Sequence, residues 1–203
     1  MRDTVYLFLI VLLMNLGMTA SAQGQPAGKG LPYREIPPYP EHYSAGTVTA
    51  RMVDALGFRY YWATEGLSGK DLGFKPSDEA RTTDETLDHI HSLSQMIVNA
   101  TLLQPNDRST PGPKLGFEEK RQATLLNLQE ASNILRKCSP EDIETFKVVF
   151  KTTGQSSEHP FWNLLNGPIA DALWHTGQVV SFRRSSGNPI DSRVNVFAGK
   201  LRE

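Results

Sequence analysis

Residues 82–101 read TTDETLDHIHSLSQMIVNAT, and this stretch decides the fold class. Thr82 followed three residues later by Glu85 is a capping pair. The hydroxyl accepts from one free amide at a helix start, and the carboxylate turns back to another. Behind that start, Leu87, Ile90, Leu93, Ile97 and Thr101 recur at spacings of three and four, as on one face of an α-helix. The pattern fails at Pro105, Asn106 and Asp107.

The same period extends outward in both directions. Upstream, Val48, Met52, Leu56 and Tyr60 repeat at four-residue steps within residues 44–66, with Tyr60, Tyr61 and Trp62 thickening the end. A loop over residues 67–81, broken by Gly69, Gly73 and Pro76, brings Leu72 and Phe74 back toward the core. Downstream, residues 117–137 carry Leu125, Leu128, Ala131 and Leu135 on one side. Over residues 139–154, the Ser139-Pro140-Glu141-Asp142 start favours a short helical turn, while Phe146-Lys147-Val148-Val149-Phe150 fits a short strand equally well. Glu158, His159 and Pro160 open a last helical region, with Pro168 suited to a first turn and Gly187 to a stop. Four long patterns with little alternation of period two predict an all-α fold, an antiparallel up-and-down four-helix bundle over residues 44–190. The Pro/Gly-rich residues 23–43 are an arm, and residues 191–203 an extended tail with Val194, Val196 and Phe197 available for packing.

Residues 1–22 read as a signal peptide. Arg2 precedes an apolar run over residues 5–16, and Ala20, Ser21 and Ala22 precede the cut. That run is nearer a dozen residues than the roughly 20 a bilayer span needs. Export to the periplasm or medium follows, with no stable membrane insertion after cleavage. A formal net charge of -1 gives no excess of cations to hold nucleic acid or anionic lipid. Cys138 is the only cysteine, so an internal disulfide is excluded, and a small buried hydrophobe is its expected role. The partner expected is a small-molecule substrate.

The candidate chemistry lies in residues 171–178, which read DALWHTGQ. Asp171 and His175 are four apart, so both project from one helix face. A third donor from the segment 82–101, His89 or His91, would complete a set able to hold a divalent ion with positions left open. Periodicity does not choose between those two histidines. Two neutral imidazoles and one carboxylate leave a 2+ ion incompletely neutralised, which suits a Lewis-acid or hydrolytic centre; with Fe(II) the same set supports oxygen chemistry. The bland alternative is an Asp–His hydrogen bond on a helix surface. Gln178, one turn beyond His175, is placed to orient a ligand or water. Arg183 or Arg184 is placed to hold a substrate carboxylate, or else to interact with the helix C-terminus. Tyr60, Tyr61, Trp62, Trp162 and Trp174 are expected in the core or lining a groove. A Gly-x-Ser-x-Gly elbow, a phosphate-binding loop, paired cysteines and a dinucleotide fingerprint are all missing from the sequence, which removes serine-hydrolase and nucleotide-binding readings.

The order of these parts resembles the DinB-like (DinB and YfiT) superfamily of metalloenzymes. The similarity covers residues 46–189. It is carried by the Asp71-Leu72-Gly73-Phe74-Lys75-Pro76 loop, by Thr86-Leu87-Asp88-His89-Ile90, and by His175-Thr176-Gly177-Gln178-Val179 with Arg183 and Gly187 behind. The resemblance implies a four-helix bundle binding a divalent metal (Zn, Ni or Fe) at one end. His89 stands for the second-helix ligand and His175 for the final one. Asp171 stands where the family usually has a histidine, so either the carboxylate replaces imidazole or the fold has lost its metal. Some relatives are thiol-dependent transferases, a reading that export disfavours, and members often form homodimers. A metal-dependent hydrolase-like activity is the leading expectation. A non-catalytic bundle binding a small ligand or protein partner, or a thiol-handling role for Cys138, are the alternatives.

Overall fold

A computed structural model describes residues 30–203. The signal peptide expected over residues 1–22 and the first part of the arm lie outside them. Largely helical, the described residues form four long helices: α1 (Ala45–Thr64), α3 (Thr83–Thr101), α4 (Phe117–Leu135) and α7 (Ala170–Ser186). Short helices α2 (Gly69–Leu72), α5 (Pro140–Thr145) and α6 (Phe161–Leu164) sit in the connections. The capping pair read from sequence starts α3, the Glu85 amide donating to Thr82 Oγ1 at 3.1 Å and the Thr82 amide to Glu85 Oε2 at 2.8 Å. Ser44, Ser68 and Ser139 cap α1, α2 and α5 in the same reciprocal way.

Side-chain bonds fix the directions of the long helices. Asp54 meets Ser132 and Arg136, while Thr64 meets Arg121, so α1 and α4 run antiparallel. Lys120 reaches Asp84, and Asn127 reaches Ser94, so α3 and α4 run parallel. Phe74, whose carbonyl accepts from the first amide of α3, stacks at 5.9 Å on Phe182 near the end of α7, making α3 and α7 antiparallel. It follows that α1 and α7 are parallel. The strictly antiparallel, up-and-down, all-α expectation therefore needs correction in two respects. Two of the four neighbouring pairs run the same way, because the connection over residues 102–116 carries the chain from the end of α3 back to the end of the bundle where α3 began, so that α4 repeats its direction. Strands are also present.

Residues 147–160 form a hairpin, β2 (Lys147–Thr152) and β3 (Gln155–Pro160), to which β1 (Asn106–Asp107) adds in parallel. Both readings of residues 139–154 are realised in turn, the Ser139 start as α5 and the segment from Lys147 as β2, and Gly154 supplies the positive φ of 82° that the two-residue turn of the hairpin needs. His159 and Pro160 thus end a strand instead of opening the last helix. A π-type turn at Leu165–Ile169 follows, with Gly167 outside helical geometry and Pro168 at the kink, and only then does α7 begin.

Leu56, Phe58 and Tyr60 of α1, Leu87, Ile90 and Ile97 of α3, and Leu125, Leu128 and Leu135 of α4 are fully buried. Burial of such side chains contributes about 2 kcal/mol each. Val48 and Met52 are exposed, contrary to the four-step stripe read for α1. A step of four residues advances about 40° beyond a full turn, so Val48 and Tyr60 end roughly 120° apart. The face that packs on α4 uses small residues: a Cβ at Gly46 would lie 2.4 Å from Leu135 O. The arm is extended but tied down. Tyr33 lies across Gly57 and donates to Asp54, Trp62 Nε1 donates to Arg34 O, and the Ile36 amide donates to Gly199 O in the tail. Burial, reinforced by Asp54, raises the pKa of Tyr33. The tail forms a minimal hairpin, β4 (Val194–Asn195) and β5 (Lys200–Leu201), which leaves Phe197 at its exposed tip and not packed as expected.

Candidate metal centre

Asp171 lies in the first turn of α7, which continues directly from the π-type turn. His175 is one turn further on the same face, and His89 projects from the middle of α3 toward both. The choice left open between His89 and His91 is settled by direction. His89 Nε2 lies 3.1 Å from Asp171 Oδ2, whereas His91 Nδ1 lies 3.1 Å from Thr124 Oγ1 on α4. Burial and the nearby Lys120 ammonium lower the pKa of His91.

Asp171 Oδ1 lies 3.3 Å from His175 Nε2, and the ligand atoms of His89, Asp171 and His175 all fall within 4.8 Å of one another. The two imidazole rings meet edge to face at a centroid separation of 4.7 Å. Ligands at 2.0–2.1 Å from a tetrahedral ion are separated by about 3.3 Å along an edge, so the carboxylate's distances to both imidazoles suit such an ion. All three side chains are half-buried.

Gln178 adds a constraint. His175 Nδ1–H donates to Gln178 Oε1 at 2.7 Å. A neutral imidazole with its hydrogen on Nδ1 presents a lone pair at Nε2, and that lone pair points at a carboxylate oxygen 3.3 Å away. Two acceptors facing each other repel unless a cation lies between them. A proton or a metal ion would satisfy the arrangement; the Nδ1 bond fixes the tautomer that a metal needs.

Arg183 is not available to a substrate. It is buried, and its Nη1 donates to the carbonyls of Trp62, Ala63 and Glu65 at 3.0, 3.1 and 3.1 Å, while Nε and Nη2 hold Asn188. The guanidinium satisfies carbonyls at the end of α1, a structural role in place of the expected substrate contact. Burial lowers its pKa, opposed by Asp71 and Glu65.

Tyr60, Tyr61 and Trp62 are in the core, whereas Trp162 and Trp174 are 74% and 72% exposed. Trp174 lies three residues after Asp171, so it flanks the donor set on the same face of α7. Cys138 is half-buried, donates to Leu135 O at 3.2 Å and fits against Gly46. Burial, with Asp142 nearby, raises its pKa, which disfavours the thiolate that a nucleophile requires.

Two polar clusters were not singled out from the sequence. The Lys120 ammonium is buried between Asp84 and Asp88, at 2.7 and 2.5 Å. Asp71 accepts from Ser68, Ser186 and Asn188. The four-residue spacing of Asp84 and Asp88 was a visible signal for the first; in the second the Ser68–Asp71 capping pair was visible locally, but Ser186 and Asn188 lie more than 100 residues away. No protein-family model, curated protein or solved structure matches this chain. Among the described residues, no helix is long and apolar enough to cross a membrane.

Proposed function

We propose that α1, α3, α4 and α7 form a DinB-like four-helix bundle, exported from the cytoplasm, in which His89, Asp171 and His175 hold a divalent metal for hydrolase-like chemistry on a small molecule. The observation that carries the reading is the convergence of His89 Nε2 and His175 Nε2 on the Asp171 carboxylate, with His175 Nδ1 held by Gln178. A simple surface Asp–His pair explains one hydrogen bond. It does not account for a second imidazole converging on the same carboxylate from another helix.

The donor types fit zinc, nickel or ferrous iron, and two neutral imidazoles with one carboxylate leave a net charge of about +1 on a divalent ion. When bound, the ion supplies Lewis-acid polarisation of a substrate oxygen. The chain's own residues do the rest. His89 ties α3 to the site, Asp171 draws both imidazoles inward, and Gln178 keeps His175 turned so that Nε2 faces the ion. The exposed Trp174 indole offers an apolar wall beside the opening.

The test is elemental analysis of the purified protein after dialysis against zinc, nickel or iron, compared with His175→Ala. About one equivalent in the parent and none in the variant supports the reading. No metal in either, with both folded, reduces the protein to a non-catalytic ligand-binding helical protein.

A further inference from the structure

On the far side of α7 from the metal donors, a half-open groove of about 890 Å³ runs between α1, α7 and the C-terminal hairpin. Its volume lies in the range that accepts a small molecule. Met52, Leu173, Val180 and Val194 give it apolar walls. Arg59 from α1 and Arg184 from α7 also line it, and among the described residues neither has a carboxylate within ion-pair distance. The single carboxylate on its wall, Asp191, is already gripped by Arg193 at 3.1 and 2.7 Å. Arg59 is half-buried, donating only to Ala55 O, its own helix carbonyl.

Because α1 and α7 run parallel, the groove has a charged end and an apolar end. Arg59 follows Met52 by seven residues and Arg184 follows Leu173 by eleven, so their Cα atoms lie about 10 and 16 Å further along the helices, with the Arg59 guanidinium folded back one turn to Ala55 O. Gly177 keeps the middle open: a Cβ built there meets nothing within 4 Å.

We propose that this groove binds an elongated amphipathic carboxylate, its head between Arg59 and Arg184 and its hydrocarbon along Met52, Leu173 and Val180. Two guanidiniums without acidic partners select the anion: Arg59 is half-buried with only its own helix carbonyl as acceptor, and the exposed Arg184 adds a second positive charge. The apolar walls select a tail over a free inorganic anion. The site is independent of metal binding, because its residues occupy the opposite face of α7.

The experiment is isothermal titration of the purified full chain with decanoate below its micelle concentration, beside decylammonium, which has the same tail and the opposite charge. Decanoate is expected to bind, and decylammonium at least about tenfold more weakly. Arg184→Gln, an exposed change that leaves packing alone, should weaken decanoate by about tenfold to a hundredfold. Gly177→Leu should abolish binding by filling the groove, while its helix propensity favours folding. Metal content, measured in parallel, should be unchanged in both variants, so loss of this site and loss of the metal centre are separable. The proposal is overturned if decanoate does not bind, if the two charges bind equally, or if both variants bind as the parent does. It is equally overturned if sedimentation reveals a dimer that Gly177→Leu dissociates and decanoate leaves intact, for then a second copy fills the groove.

Discussion

His175 and Gln178, three residues apart on α7, are joined by a 2.7 Å bond from Nδ1 to Oε1, and that bond determines which imidazole nitrogen faces Asp171. Gln178→Leu removes the acceptor, frees the ring to rotate and lets the hydrogen move to Nε2. The expected result is metal affinity about 10–100-fold lower, with the helical circular-dichroism signal unchanged. Competition against a chromophoric chelator reads this directly. Equal affinities in parent and variant would remove Gln178 from the site.

Asp171 is the sole negative charge in the donor set and touches both imidazoles. Asp171→Ala should lose the bound ion. Asp171→His is the more informative change, since it gives three neutral donors at the same helical positions. One equivalent of zinc is expected to return, because imidazole serves the same ions as carboxylate at similar bond lengths. Should Asp171→His stay empty while the parent is loaded, the carboxylate is needed for its charge and not merely as a donor.

Arg183 holds three carbonyls at the end of α1 and the backbone and side-chain oxygens of Asn188. Replacing it with glutamine leaves buried carbonyls without donors. The expected cost is about 3 kcal/mol, a fall in Tm of roughly 6–12 °C for a chain of this size. Metal stoichiometry at low temperature should not change. A variant with parental Tm but lost metal would return Arg183 to the site.

Local signals in the sequence were sufficient for the start of α3 and for the shared face of Asp171 and His175, but not for the start of α7, read at residues 158–160 and found at Ala170. The pair Thr82 and Glu85 and the pair Asp171 and His175 each act within one turn, where spacing dictates geometry. What the sequence left open depended on direction between elements. His89 and His91 are two residues apart on α3 and both polar; only the packing of α3 between α4 and α7 sends one to Thr124 and the other to Asp171. Arg183 reads as a free charge on a last helical turn because its partners on α1 lie about 120 residues earlier. The hairpin at residues 147–160 was half visible, its first strand alternating and its second, Gln155–Pro160, mostly polar and exposed, without an apolar period to mark it.

Asp71 also depends on distant partners, and its charge makes the dependence measurable. Burial alone would raise its pKa, but hydrogen bonds from Ser186, Asn188 and Ser68 outweigh burial and hold the carboxyl well below the usual range. A group whose folded pKa is depressed adds stability above its unfolded value, about 3.9, and that contribution is lost as pH falls from there through the folded value. Asp71→Asn should therefore be destabilised by about 1–3 kcal/mol at pH 7, since the amide cannot accept at both former oxygens. The gap between parent and variant should narrow steadily below about pH 4 as the parent carboxylate takes up its proton. Urea denaturation at a series of pH values measures both curves. A gap that stays constant to the lowest pH at which both fold would mean that Asp71 joins α2 to the end of α7 through shape alone, without its charge.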